Sequence, residues 1–138
     1  MKTLPIFSKG YEKRFPSGGW LIAANGFDAE VNSPAAVTMI GRHRETDEAF
    51  VLLQGSGFLV TAGFGGAPAN LCPTRLLVGQ LTVVERGEWH ALVLLENAQT
   101  LIVENADTGA ENSDRVPLTR KQCELIHRCG IPISSAEK

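Results

Sequence analysis

The sequence predicts an all-β domain, an antiparallel sandwich or barrel, that ends in one short C-terminal helix. Short apolar runs recur along the chain and are separated by glycine, proline, asparagine and serine, which is typical of small antiparallel folds. Near the end, Thr119 and Gln122 form a capping box that marks the start of a helix. The 138 residues, 43% of them hydrophobic and 20% charged, indicate one globular domain with a substantial core.

Eight apolar runs are the predicted strands, and turn signals separate them. In chain order they are Trp20–Ala24, Ala35–Ile40, Ala49–Leu53, Phe58–Ala62, Arg75–Val78, Leu81–Val84, Ala91–Leu95 and Thr100–Val103. Asn25-Gly26 is a strong hairpin-turn signal. The glycine-rich segment Gly63–Asn70 predicts a hairpin tip or a lid over a barrel mouth, because it lacks the pattern of a phosphate-binding loop.

The helix is predicted over residues 119–129, after a barrel that spans about residues 18–118 of a single domain 1–138. Cys123, Ile126 and Cys129 recur at helical spacing and form its predicted inner face. His127 falls off that face and is expected at the surface. The polar run Glu104–Thr108 closes the last predicted strand, and we assign it to a turn without chemistry.

Composition and charge argue against several function classes. The net charge of −2 provides no basic field for nucleic acid, and no apolar run is long enough to cross a membrane. Residues 1–10 do not resemble a signal peptide. The cysteines Cys72, Cys123 and Cys129 are odd in number and form no paired motif, so we expect free thiols and a cytoplasmic setting.

Potential metal ligands concentrate in two segments, each of which leads into an apolar strand. Gly41–Glu48 contains one histidine and three carboxylates, and Gly87–His90 ends on a second histidine. Imidazole and carboxylate are the side chains that a divalent first-row metal takes from a protein. Because strand side chains alternate between faces, Gly41 and His43 share one face, and a turn at Thr46-Asp47 restarts the alternation at Glu48.

These two segments resemble the paired motifs of the cupin superfamily. Glu48, six further residues and Gly55 match the second half of the first motif, while Gly79, Gly87 and His90 match the spacing of the second. Glu85 replaces the usual proline of the second motif, and Leu94 replaces its asparagine. The resemblance implies a double-stranded β-helix, the jelly-roll barrel of cupins, with a degenerate first motif.

The resemblance implies three of the four usual cupin ligands, which are His43, Glu48 and His90. Gly41 occupies the position of the first histidine and offers no ligand. Three protein ligands leave positions open for water or substrate. Two histidines and one carboxylate suit Fe(II), and Zn, Mn and Ni remain alternatives. In a second register Glu45 stands in for a histidine, so Glu45 is a candidate ligand or pocket acid, and Glu48 and Glu45 are the candidate catalytic residues.

The resemblance implies a metal-dependent barrel that binds or transforms a small polar metabolite, either a sugar or an organic acid. Isomerase, epimerase and dioxygenase chemistries all occur on this fold, which does not select among them. The alternative is a non-catalytic ligand-binding barrel whose metal site is degenerate or absent. We expect a homodimer, because a second subunit often covers the apolar outer face of such barrels. Trp89, next to His90, should face away from the interior, and Arg42, Arg44 and Arg86 are expected at the surface.

Overall fold

Two five-stranded antiparallel sheets face each other in the computed structural model, which describes residues 1–130. Sheet A has the strand order β1-β2-β9-β4-β7, and sheet B has the order β10-β3-β8-β5-β6. The strands are β1 Gly10–Ser17, β2 Trp20–Gly26, β3 Met39–His43, β4 Glu48–Gln54, β5 Gly57–Thr61, β6 Cys72–Arg75, β7 Leu81–Val84, β8 His90–Leu94, β9 Gln99–Asn105 and β10 Ser113–Pro117. A 3-10 turn spans Ala110–Asn112, and the helix α1 spans Arg120–Arg128.

The chain alternates between the two sheets as it advances, which makes the fold a double-stranded β-helix. β3 and β8 lie in sheet B, whereas β4 and β9 lie in sheet A. The predicted fold class, an all-β jelly-roll barrel with one short C-terminal helix, is therefore confirmed. A consequence for function is that side chains from both sheets meet in the interior.

The core has two layers, one inside the barrel and one beneath the helix. Between the sheets, Phe50, Leu52, Leu59, Leu94 and Ile102 form the centre of the inner cluster. Burying each of these side chains contributes roughly 1.5–3 kcal/mol to folding.

On the outer face of sheet B, Ile126 of α1 packs in one cluster with Trp89 and Val93. Trp89 faces away from the interior, as predicted, and serves core packing because it is almost fully buried. Thr119 and Gln122 form the predicted capping box of α1, and His127 is exposed. Among residues 1–130, no helix is both long and apolar enough to cross a membrane.

The hairpin turn predicted at Asn25-Gly26 is wrong. Both residues belong to β2, where Asn25 pairs with Tyr11 of β1 on one side and with Thr100 of β9 on the other. Pairing on both sides of β2 outweighs the local turn preference of the Asn-Gly sequence. The turn lies instead at Gly18-Gly19, between β1 and β2.

Other boundaries also differ from the prediction. The predicted strand Ala35–Ile40 begins only at Met39, because Ser33 organises a turn in which it accepts hydrogen bonds from the backbone of Ala36. Sequence patterning missed β1 and β10, which lack an apolar alternation, and β1 adds a strand before residue 18. The segment Gly63–Asn70 is a hairpin tip between β5 and β6, one of the two alternatives predicted.

We expect Gly55→Ala to destabilise the protein far more than Gly79→Ala does. Both glycines have positive φ, of 77° and 85°, so each substitution carries a backbone cost of about 1 kcal/mol. A Cβ at Gly55 would also lie 2.6 Å from the Cα of Ala98, whereas nothing lies within 4 Å of a Cβ at Gly79. Urea denaturation should therefore show a loss of roughly 3 kcal/mol or more for Gly55→Ala. Equal losses for the two variants would contradict this account.

Candidate metal centre in the barrel

Three elements deliver the potential ligands to one end of the barrel. His43 is the last residue of β3, Glu48 is the first of β4, and His90 is the first of β8. The chain crosses from sheet B to sheet A between His43 and Glu48, where it bends at Arg44-Glu45, just before the predicted turn position Thr46-Asp47. Thr46 holds this crossing, because its buried hydroxyl accepts a hydrogen bond of 3.0 Å from the backbone of Asn105. The crossing therefore aims two ligands at each other from opposite sheets.

One carboxylate oxygen of Glu48 lies between both histidines. Its Oε2 is 2.9 Å from Nε2 of His43 and 2.9 Å from Nε2 of His90. Each histidine has a partner on its other ring nitrogen, since Nδ1 of His43 lies 2.8 Å from the hydroxyl of Ser113 and Nδ1 of His90 lies 3.0 Å from the carbonyl of Glu88. Partners of this kind orient metal-binding histidines in proteins.

The hydrogen bonds require a positive charge between His90 and Glu48. A carbonyl oxygen only accepts, so Nδ1 of His90 carries a proton and donates it to Glu88. Nε2 of His90 then faces an ionised carboxylate oxygen, which also only accepts. Either a second proton on the ring or a metal ion has to occupy the contact.

The pKa values follow from this arrangement. Burial alone would raise the pKa of Glu48, but the hydrogen bonds and charges of His43 and His90 outweigh it and lower that pKa to about 2. Burial likewise opposes the charged form of His90, yet the hydrogen bond and the charge of Glu48 outweigh it and raise the pKa of His90. Glu48 is therefore an anion at neutral pH, as a metal ligand must be.

A second buried carboxylate, Glu104, faces the two histidines, and its assignment to a turn is wrong because Glu104 belongs to β9. Ala49 pairs with Val103, so Glu104 lies next to Glu48 on the inward face of the neighbouring strand β9. Its Oε2 is 3.8 Å from Nε2 of His43, while its Oε1 accepts a hydrogen bond of 3.0 Å from the hydroxyl of Tyr11. Extending the period-two alternation of the last strand beyond Ile102 would have placed Glu104 inside.

Burial and the charge of Glu48 raise the pKa of Glu104 from 4.5 to about 7. Burial and the charge of Glu104 in turn raise the pKa of Tyr11, so that hydroxyl stays protonated and continues to donate. Two buried carboxylates side by side repel each other unless a cation compensates them. The carboxyl of Glu104 therefore exchanges its proton near neutral pH in the metal-free protein.

Glu45 lies apart from the three ligands. Its side chain is exposed and points toward Asn112, whose amide nitrogen is 3.4 Å from Oε2. Of the carboxylates considered from sequence, the structure brings only Glu48 together with His43 and His90, whose ligand atoms all lie within 4.8 Å of one another.

The arginines of the first motif segment serve the barrel wall. Arg42 donates from Nε to Asp114 at 2.8 Å, and its guanidinium lies 4.6 Å from the ring centroid of Trp89. Arg44 pairs with the same carboxylate of Asp114. Both Arg42 and the indole nitrogen of Trp89 donate to the carbonyl of Gly65, which ties the glycine-rich hairpin tip to the outer face of sheet B.

A cavity of about 640 Å³ opens in front of His43 and both carboxylates. Gly41 pairs with His90 across β3 and β8, so the position of the missing fourth ligand is beside His90 and carries no side chain. The cavity is large enough for a small polar molecule. Its lining includes Tyr11, Lys13, His43, Glu48, Glu104 and Arg115.

Comparisons with known proteins agree with this architecture. No protein-family model matches the chain, and no curated protein matches it. Among solved structures, a cupin-2 domain containing protein from Shewanella frigidimarina shares 17% identity at a TM-score of 0.51, over 72% of this chain and 84% of that chain. The chain has the cupin fold.

Two further solved structures resemble this chain to a similar degree. KdgF from Halomonas sp. shares 14% identity at a TM-score of 0.51, over 78% of this chain and 88% of that chain. A cobalt(II) form of HppE in complex with substrate also shares 14% identity, at a TM-score of 0.52, over 69% of this chain and 50% of that chain. The resemblance inferred from the two motifs is thus confirmed for the fold.

We expect the metal-free protein to lose stability as the pH rises through the range in which Glu104 ionises. The folded state, with a pKa of about 7, holds this proton more tightly than an unfolded chain with 4.5. The free energy of unfolding therefore falls between about pH 4.5 and pH 7, and the loss persists above that range. Glu104→Gln should remove about 1–2 kcal/mol of this loss, after allowance for solvent screening at the cavity mouth.

Urea denaturation in chelator at pH 5 and pH 8 measures the effect. The gain from Glu104→Gln should appear at pH 8 and nearly vanish at pH 5. Glu45→Gln is the matched control, because this exposed carboxyl should change stability little at either pH. A gain of the same size at both pH values would show that the pKa of Glu104 is not raised.

Proposed function

We propose that this cupin binds a divalent metal ion through His43, Glu48 and His90 and uses it to bind or transform a small polar metabolite, a sugar or an organic acid. The observation that carries the proposal is the oxygen of Glu48 held between two Nε2 atoms, whose rings are oriented by Ser113 and Glu88. Cobalt in the HppE structure is consistent with a metal in a barrel of this fold.

The donor set fits such an ion. With metal–ligand bonds of about 2.1 Å, adjacent ligand atoms of an octahedron lie about 3 Å apart. The two separations of 2.9 Å between Glu48 and the histidines match that spacing. Two histidines and one carboxylate on one side leave the cavity side open and suit Fe(II), while Zn, Mn and Ni accept the same ligands.

The side chains around the centre have separable roles in this proposal. A bound divalent ion would act as a Lewis acid toward oxygen atoms of a substrate, water or dioxygen. Glu48 is committed to the ion and keeps His43 and His90 in place. Glu104 faces the cavity, and the hydroxyl of Tyr11 fixes its orientation. We therefore propose Glu104, in place of Glu45, as the group that accepts or returns a proton, since it is held within reach of the cavity beside Glu48.

A second candidate function is a non-catalytic barrel that binds its ligand without turnover. Gly41 favours this alternative, because one usual ligand position has no side chain. The two candidates differ in what Glu104→Gln should do. A turnover function loses rate while ligand affinity persists, whereas a binding function shows no rate with any ligand that raises the melting temperature.

We expect the protein, prepared without a polyhistidine tag, to bind about one divalent ion per chain. Its affinities for the different ions should follow the usual order of divalent first-row metals. His43→Ala and His90→Ala should each lower the affinity at least roughly tenfold, because each removes a direct ligand. Plasma mass spectrometry after anaerobic reconstitution with Fe(II), Mn, Zn or Ni measures this. His127→Ala is the control, since that histidine is exposed on α1. Stoichiometric metal in both site variants, or none in the native chain, would overturn the proposal.

We also propose that the protein forms a homodimer through the outer face of sheet A. Strand register aligns apolar residues across four strands of that face. One row is Ile22, Val103, Ala49 and Val83, and the next is Ala24, Leu101, Val51 and Leu81. On the edge strand β7, Leu81 is 66% exposed and Val83 is 48% exposed, so part of this face meets water in a single chain. Contiguous apolar surface of this kind favours association.

Val83→Glu should shift the protein from dimer to monomer, because a charge would have to be buried against the partner's apolar face. Light scattering after size-exclusion chromatography measures the mass. Val31→Glu is the matched control, since Val31 lies outside sheet A and is 61% exposed. A monomeric native protein would contradict the proposal.

The cysteines described are all free, as predicted, and a cytoplasmic location stays a prediction.

A further inference from the structure

Two edge strands, one from each sheet, each bring a cation to the cavity. β1 is the edge of sheet A, and β10 is the edge of sheet B. Lys13 pairs with Ala23, whose side chain belongs to the inner core, so Lys13 lies on the inward face of β1. Arg115 pairs with Gly41, two residues before the inward-facing His43, so Arg115 lies on the inward face of β10. Both side chains line the cavity of the candidate metal centre.

These cations are not used by the barrel itself. Within residues 1–130, neither Lys13 nor Arg115 forms an ion pair or a side-chain hydrogen bond, whereas Arg42 and Arg44 are both bound to Asp114. A guanidinium presents five donors in a planar fork that matches a carboxylate. Arg115 therefore has its whole hydrogen-bonding capacity available to a molecule in the cavity.

Gly41 places Arg115 close to the metal ligands. Gly41 pairs with Arg115 on one side and with His90 on the other, so the residue between the arginine and the histidine has no side chain. Arg115 also lines a smaller cavity of about 260 Å³, together with Gly41 and His90. The position where the family places a ligand thus carries no side chain, and it borders the cavity that Arg115 and His90 share.

We propose that the ligand of this barrel is a small organic anion, whose carboxylate binds Arg115 beside Gly41 while Lys13 attracts it from the opposite edge. Any contact of this anion with a bound metal ion rests on the function proposed above. Glu48 and Glu104 face the same cavity and repel an anion, so a bound divalent ion should strengthen anion binding. Of the two metabolite classes considered, the cations favour organic acids and sugar acids over neutral sugars.

Matched pairs of carboxylate and neutral compounds test the proposal. Gluconate against glucitol, lactate against lactamide and malate against malamide each change the charge with little change in size. Calorimetric titration of the manganese-loaded native protein should show tighter binding of the acid in at least one pair, by about tenfold, as expected for a charge-assisted bidentate contact. The proposal is overturned if no acid binds more tightly than its neutral counterpart.

Variants locate the contact. Arg115→Gln should remove the preference for the acid, and Arg115→Lys should keep part of it, because the charge remains and the planar fork is lost. Arg75→Gln is the matched control, since Arg75 lies on β6, the opposite edge of sheet B, and pairs with Phe58, which packs on the outer cluster. A preference that survives Arg115→Gln would show that the metal alone selects the anion.

The same samples separate this proposal from the function on which it rests. Manganese content measured for the native protein and for Arg115→Gln should be equal, because Arg115 is not a metal ligand. A native protein without manganese would contradict the metal centre, whereas a loaded protein without preference for acids would contradict only the anion site. Inward charges also protect sheet edges from pairing with other chains. If Arg115 serves that purpose alone, Arg115→Gln will promote aggregation and leave acid affinity unchanged.

Discussion

Two hydrogen bonds between one carboxylate and two histidines connect the two sheets at the end of the barrel where the cavity opens. Glu48 belongs to sheet A, while His43 and His90 belong to sheet B, and Oε2 of Glu48 is 2.9 Å from both rings. A buried carboxylate is tolerated only when it is paired or coordinates a metal. Hydrophobic contacts hold the sheets together in the rest of the barrel. At this end the sheets are joined by hydrogen bonds between charged groups, and the cavity opens where polar groups replace the core.

The inner charges form two groups that balance each other. Glu48 and Glu104 lie side by side on sheet A. The hydrogen bonds and charges of the two histidines lower the pKa of Glu48, whereas burial and the charge of Glu48 raise the pKa of Glu104. Lys13 and Arg115 lie further out, on the edge strands. A positive ion between the histidines and an anion near the edges would complete this alternation of charge from the centre to the mouth.

How much the sequence could predict depended on how local the determining interactions were. The family resemblance carried by the spacing of Glu48, Gly55 and His90 implied the fold, because these motif positions recur within a few residues. The capping box of Thr119 and Gln122 predicted α1 for the same reason. Asn25-Gly26 misled, since pairing of β2 on both edges overrode the turn signal. Glu104 and Arg115 were missed because their importance depends on strand neighbours that are distant in the chain.

The fluorescence of Trp89 can report on the state of the barrel. The chain has two tryptophans, of which Trp20 is 45% exposed and Trp89 is 1% exposed, so Trp89 emits from a buried site beside the guanidinium of Arg42. Its indole is fixed to the carbonyl of Gly65, and its neighbour along the backbone is His90. Because Trp89 and His90 share one peptide bond, we expect intrinsic fluorescence to change when the centre is occupied, without any added label.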